Sequence, residues 1–205
     1  MIFNFGRRSN AAAMTETEPR FLTARINAPL QPLDRGEHFE DPLEVLLKAD
    51  GLGEVTGGGT MLSEDGGIAF CDIEIEVTSD DDKTVSAVIA ALEDVGAPKG
   101  SRLVVEGEAE DEACEIPFGR LEGMAIRLNA VDLPDETYEA CDIDEVTAEI
   151  GQLLGASGKY CSYRSTETEY ILYLYGPSFE AMKDALGDYM ESCPLFDRCV
   201  VEQTV

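Results

Sequence analysis

The residues best suited to chemistry form an alternating acidic strand. Within Cys71–Val77, the carboxylates Asp72, Glu74 and Glu76 alternate with apolar residues. This alternation predicts a strand with the acidic side chains on one face and the apolar side chains on the other. Residues two apart on a strand lie roughly 6.6–7 Å apart, which is too wide for a compact metal site. The carboxylates are therefore interpreted as a solvated or partner-binding face.

A second segment, Tyr170–Tyr175, carries aromatic residues on both faces of a predicted strand. If Leu172 and Leu174 face the helices, Tyr173 and Tyr175 share the opposite, open face; the reverse register is equally open. Modules that stack single-stranded RNA present an aromatic sheet face, but they also need basic residues. Packing against the other half of the chain, or against a protein partner, is the preferred interpretation.

Two arginines complete the set of candidate site residues. Arg25 lies in Ala24–Ala28, and Arg127 lies in the similar segment Ile126–Ala130. Both are expected to lie on the first strand of their half of the chain. They are interpreted as partners of the acidic strands or as part of a protein-binding surface.

These matching segments belong to a weak internal repeat. A second match, between Arg102–Glu106 and Arg198–Glu202, follows later in each half and in the same order. Two matches in one order indicate a duplication of a single structural unit.

Catalytic and metal sites are not predicted. The chain has one histidine, His38, and six cysteines without a CxxC spacing, a composition that argues against a zinc site. No catalytic residue, metal ligand or cofactor is assigned. Because no secretory signal is recognised, the cysteines are expected to be reduced and the protein cytoplasmic.

The charge is the most unusual feature of the composition. Fifteen basic residues stand against 42 acidic residues, for a net charge of −27. Phosphate groups bind to positive potential, so direct binding of nucleic acid or of an anionic membrane is not expected. No apolar run reaches the roughly 18 residues of a membrane span. Three causes of the acidity stay open: a solvated surface, a high-salt habitat, or a basic protein partner.

The elements that must position these residues follow the order βαββαβ in each half. Glu64–Gly67 is predicted as a hairpin turn, Asp41-Pro42 as a helix start, and Ser178 as a helix cap. This order resembles the ferredoxin-like (split βαβ) superfamily. The resemblance implies an α+β fold of two tandem units, each an antiparallel sheet with helices on one face. The expected division is a flexible N-terminal tail (1–20), repeat 1 (21–106), an acidic linker (107–121) and repeat 2 (122–205).

The functional hypothesis drawn from these features is a non-enzymatic, acidic protein-binding module. In its sharpest form, it is an inhibitor or immunity-type protein that blocks a basic partner, since an acidic face speeds encounter with a basic site. The expected partner-binding residues are Asp72, Glu74, Glu76, Tyr173, Tyr175, Arg25 and Arg127. A homo-oligomer is left open. The alternative is a regulatory small-molecule-binding module of the ACT type, with its ligand between the repeats; an enzyme ranks third.

Overall fold

The computed structural model describes residues 19–105 and 113–205. These residues form two antiparallel sheets, of five and four strands, each with helices packed on one side. The predicted α+β fold of two tandem ferredoxin-like units is confirmed. The predicted tail falls outside the described residues except for its last two positions.

The first unit contains a five-stranded sheet with the order β2-β3-β1-β4-β5. In chain order, its elements are β1 (Arg20–Ile26), α1 (Pro32–Arg35), α2 (Asp41–Asp50), β2 (Gly53–Leu62), β3 (Ile68–Val77), α3 (Asp82–Asp94), β4 (Ser101–Val105) and β5 (Cys114–Phe118). Strand β1 is antiparallel to β3, and Arg25 is paired with Asp72 across the two strands. This register places the first candidate residues side by side.

The second unit repeats the arrangement with four strands in the order β7-β8-β6-β9. Its elements are β6 (Glu122–Asn129), α4 (Asp135–Ala140), α5 (Ile143–Leu154), β7 (Lys159–Ser165), β8 (Glu169–Gly176), α6 (Phe179–Ser192) and β9 (Val200–Gln203). The predicted cap of α6 is present, because the Ser178 hydroxyl accepts a hydrogen bond from the Ala181 amide at 3.3 Å.

The structure places the first of the two sequence matches at corresponding strands of the units, but the second match is shifted along its strand. Arg25 and Arg127 lie on corresponding strands, β1 and β6. Arg25 is paired with Arg102 on β4, whereas Arg127 is paired with Val200 on β9. Arg198 precedes β9 in a left-handed conformation with a φ of 60°. The second sequence match is therefore displaced by two residues from the structural one.

Two elements lie where the sequence predicted none. Within the predicted acidic linker, β5 is paired antiparallel with β4. Because β5 is an edge strand, it tolerates Pro117, which lacks an N–H group. The other element is a helical segment that begins at Pro32, well before the helix start predicted at Asp41-Pro42. It continues through the π-helical turn Gly36–Glu40 into α2, and proline is acceptable in the first turn of a helix.

Two hydrophobic cores hold the molecule together. The first lies between the first sheet and helices α2 and α3, and it contains Leu22, Ile73 and Leu92. The second lies between the second sheet and helices α5 and α6. Cys161 and Tyr175 belong to the second unit in sequence but are buried in the first core. The face of the second sheet that points away from its own helices thus packs against the first unit.

Among the described residues, no helix is both long enough and apolar enough to cross a membrane. In the same part of the chain, no three or more His, Cys, Asp and Glu side chains are grouped so as to hold a metal ion.

Candidate functional site

The acidic strand lies on the open face of the first sheet, as its alternation predicts. Asp72 is half-buried in a two-point ion pair, because the Arg25 Nε and NH2 groups donate to its two oxygens at 3.0 and 3.2 Å. The guanidinium also lies 4.2 Å from the centre of the Phe70 ring. Glu74 is exposed and Glu76 is partly exposed. One of the three carboxylates is therefore neutralised within the chain.

Arg127 and the tyrosines of β8 also make their contacts within the chain. Arg127 donates hydrogen bonds to Glu202 at 2.9 Å and to Glu169 at 3.2 Å. Tyr175 is only 2% exposed and lies in the first core, and Tyr173 packs at its margin. Burial raises the pKa of both tyrosines. Because Tyr175 is buried, its ring serves the contact between the units and does not face solvent.

The best-formed candidate site is a cleft between the two units. It has a volume of about 610 Å³, which falls within the range of small-molecule sites. Three segments form its walls: the loop after β1, the β2–β3 hairpin and the β7–β8 hairpin. These walls include Pro29, Gln31 and Pro32 from the loop, Thr60, Leu62, Asp65, Gly67 and Ile68 from the first hairpin, and residues 163–167 from the second.

An arginine from the second unit is fixed at the floor of this cleft. Arg164 donates from NH1 to the Asp65 carboxylate at 2.9 Å and from NH2 to the Asp65 carbonyl at 3.1 Å. Gly67 allows this approach, since a Cβ atom there would lie 2.5 Å from Arg164 NH1. Among the described residues, none accepts a hydrogen bond from Arg164 Nε.

Asp65 is itself held in place as an ionised group. The Ser63 hydroxyl donates to it at 2.5 Å, and the Gly67 amide donates at 3.3 Å. Together with Arg164, these donors hold the pKa of Asp65 well below its usual range. The cleft therefore presents a fixed carboxylate beside a fixed guanidinium, and Glu167 adds a second carboxylate at the rim.

Next to Arg164, a pair of stacked tyrosines lies on the helix-covered face of the second sheet. The rings of Tyr163 and Tyr170 are 5.1 Å apart and nearly parallel, a favourable arrangement for aromatic rings. Tyr163 remains 39% exposed and is one of the residues that border the cleft. Pro29 and Ile68 face the same space. A small molecule with both charged and apolar parts would find complementary surfaces here.

Hydrogen bonds between the units fix the loop after β1 against β7. The buried Ser162 hydroxyl donates to Asp34 at 2.6 Å and accepts from the Gln31 amide at 3.1 Å. The Gln31 side chain donates to the Tyr163 carbonyl at 3.4 Å. The cleft thus has walls that are positioned before any ligand binds, which lowers the entropy lost on binding.

None of the residues of this cleft was predicted as a site residue from the sequence. The hairpin turn predicted at Glu64–Gly67 is present. Arg164 and Asp65 are 99 residues apart in the chain, so no local pattern links them. The usable signal was the duplication, since corresponding hairpins of two repeats can meet when the units pack together.

Comparison with known proteins gives a distant likeness in fold. No family profile matches the chain, and no curated protein matches it. A provisionally named monooxygenase from Fusobacterium nucleatum is 11% identical, with 90% of each chain covered and a TM-score of 0.29. A provisionally named monooxygenase from Lactobacillus acidophilus is 12% identical, with coverage of 91% of this chain and 93% of that one and a TM-score of 0.30. An anthrone oxidase-like protein is 14% identical, with coverage of 92% and 91% and a TM-score of 0.23. At this distance, no residue role is transferred from these proteins.

The hypothesis of an acidic inhibitor or immunity-type protein is wrong. The physical reason lies in the acidic strand, where Arg25 neutralises Asp72 and the remaining carboxylates stay solvated. Net charge alone gave no information about these internal pairs. The expectation that the chain is not an enzyme stays a prediction, as does a homo-oligomer.

Proposed function

We propose that the protein is a regulatory small-molecule-binding module whose ligand occupies the cleft between its two ferredoxin-like units. The observation that carries this proposal is the cleft itself. It holds Arg164 from one unit against Asp65 from the other, within a volume of about 610 Å³. A ligand in this position touches both units, so its binding is coupled to the way they pack.

The lining of the cleft favours a small zwitterion such as an α-amino acid. The unpaired Nε–H of Arg164 can donate to a ligand carboxylate, and charge-assisted hydrogen bonds of this kind are strong. Asp65 and Glu167 supply negative charge for an ammonium group. Pro29 and Ile68 offer apolar surface to a side chain. A purely anionic ligand would meet two carboxylates for one guanidinium and is disfavoured.

The test is a screen of the twenty L-amino acids, each added at millimolar concentration, by thermal shift and then by calorimetric titration. A ligand present at 100 times its Kd stabilises the folded state by about 2.7 kcal/mol. We expect a subset of amino acids to raise the Tm of the full chain. Arg164→Gln is expected to abolish that shift.

Arg102→Gln is the matched control. Like Arg164, Arg102 is an arginine that is ion-paired with one carboxylate, here Glu115 at 2.6 Å, but it lies on β4, away from the cleft. The control variant should keep the full ligand response. Equal responses in both variants, or no response of the unmodified chain to any amino acid, would overturn the proposal.

A further inference from the structure

A small pocket in the second unit lies apart from the cleft and takes no part in the proposed binding. It has a volume of about 180 Å³. Five elements meet around it: strands β6 and β8, helices α4 and α5, and the turn that follows α6. They contribute, in chain order, the wall residues Leu128, Tyr138, Cys141, Ile143, Tyr170 and Leu195.

The lining of this pocket differs from that of the cleft in its charge. Among the described residues that line the pocket, none is charged, although 28% of the chain is charged. The cleft, by contrast, has Asp65, Arg164 and Glu167 in its walls. Moving an ion from water into uncharged surroundings costs free energy. The pocket therefore favours an uncharged ligand.

Polar oxygens at the walls of the pocket already have hydrogen-bond partners within the chain. The Tyr138 hydroxyl accepts from the Leu133 amide at 3.0 Å and donates to the Asn129 carbonyl at 3.2 Å. The Asn129 side-chain oxygen accepts from the amides of Val131 and Asp132 at 3.0 and 2.9 Å. A buried water needs two or more polar partners. With these oxygens engaged, the pocket holds water poorly and offers mainly apolar contact.

The walls of the pocket are fixed before any ligand binds. Leu128 and Leu195 are buried in the second core. The ring of Tyr170 stacks on that of Tyr163 at 5.1 Å. Ala130, in contrast, borders the pocket and is exposed, so the pocket opens to solvent beside it. A preformed pocket with an entrance lowers the entropy lost when a ligand enters.

We propose that this pocket binds a small, uncharged, apolar molecule of about the size of benzene. Apolar cavities of about 150 Å³ stay empty of water and bind benzene, and the volume here is similar. Drug-sized ligands occupy sites of about 300–1,000 Å³, so a larger molecule does not fit. An apolar ligand gains affinity when it displaces poorly ordered water. The proposal concerns the second unit alone and stands or falls independently of ligand binding in the cleft.

The test is a titration of the full chain with benzene, followed through the methyl resonances of isotope-labelled leucine and isoleucine. We expect the signals of Leu128, Ile143 and Leu195 to shift with one shared Kd on the order of 1 mM, a strength that a ligand of this size can supply. The signals of Leu43, which is buried in the first core, should not move. Benzoate, which adds a charge to the same ring, should cause no shift at equal concentration.

Two variants that fill the pocket, and one matched control, show whether benzene binds there. Ala130→Leu and Cys141→Leu each place a larger side chain at a wall, and each should weaken benzene binding about tenfold or more. Ala140→Leu is the control, because Ala140 is also exposed and ends α4 but does not line the pocket. It should keep the original Kd.

The methyl spectrum of each variant shows whether it is folded, so one misfolded variant leaves the other to decide. Three results would overturn the proposal. The first is the absence of a saturable shift up to the solubility of benzene. The second is an equal response to benzoate, and the third is an unchanged Kd in a folded pocket-filling variant.

Discussion

At the scale of single residues, three carboxylates that look alike in the sequence have different surroundings. Asp72 accepts two hydrogen bonds from Arg25. Glu76 lies directly opposite Glu54 on the neighbouring strand, and like charges in this position destabilise a sheet. The alternation of the segment predicted the shared face but could not identify these neighbours, because the register between strands is not local in sequence.

Neutralising these carboxylates one at a time should therefore have opposite effects. Asp72→Asn leaves Arg25 without its partner, and we expect it to lower the free energy of unfolding by about 1 kcal/mol. Glu76→Gln removes a repulsion, and we expect it to raise that free energy by about 0.2–1 kcal/mol. Urea unfolding at pH 7 measures both. Equal effects of the same sign would show that the ion pair does not distinguish the two positions.

At the scale of elements, helix ends could be predicted well because their signals are local. Ser178 precedes α6, and its hydroxyl accepts a hydrogen bond from the Ala181 amide. Asp142 plays the same part for α5, where it accepts from the Asp144 amide at 2.8 Å. Side chains of this kind satisfy amides that have no partner within the helix.

Substitution of Ser178 tests whether the side-chain cap stabilises the start of α6. Ser178→Ala should lower the free energy of unfolding by about 1 kcal/mol, because one helical amide loses its acceptor. Ser178→Asp should retain most of the stability, since its carboxylate can accept the same bond and suits the positive end of the helix dipole. Urea unfolding of both variants is the measurement. An alanine variant as stable as the original chain would mean that the cap contributes nothing.

The elements that the sequence analysis missed depend on their neighbours. Strand β5 contains Pro117 and follows a strongly acidic stretch, so its composition is typical of a linker. It is a strand because β4 offers it an unpaired edge. The cleft was missed for the same kind of reason, since Arg164 and Asp65 meet only after the two units have packed together.

At the scale of the whole molecule, an ion pair joins the two units near the point where the chain passes from the first unit into the second. Lys99 Nζ lies 2.8 Å from the Glu122 carboxylate, which also accepts a hydrogen bond from the Phe179 amide. Lys99 and that amide hold the pKa of Glu122 below its usual value. A carboxyl whose pKa is lowered on folding stabilises the folded state above its unfolded pKa, near 4.3, and loses this effect as the pH falls through its folded pKa.

Because the pKa of Glu122 is lowered on folding, the effect of Glu122→Gln on stability should depend on pH. The variant should be less stable than the original chain at pH 7, and the difference should shrink as the pH falls below about 4. Urea unfolding of both proteins from pH 3 to pH 7 measures the difference. A difference that stays constant over this range would show that the charge of Glu122 does not contribute.

Tyr175 tests whether the two units fold as one. Its side chain is 2% exposed and lies in the first core, although its strand belongs to the second sheet. Tyr175→Ala should cost about 3 kcal/mol or more, because it leaves a cavity at the contact between the units. Leu186→Ala is the matched control, since Leu186 is fully buried but lies in the second core alone.

Scanning calorimetry should show one cooperative transition for the original chain and for Leu186→Ala, the latter at a lower Tm. For Tyr175→Ala, the calorimetric enthalpy should exceed the van't Hoff enthalpy, because the units then unfold separately. If Tyr175→Ala instead unfolds in one transition, as Leu186→Ala does, Tyr175 is not required for the coupling, and other contacts between the units keep them cooperative.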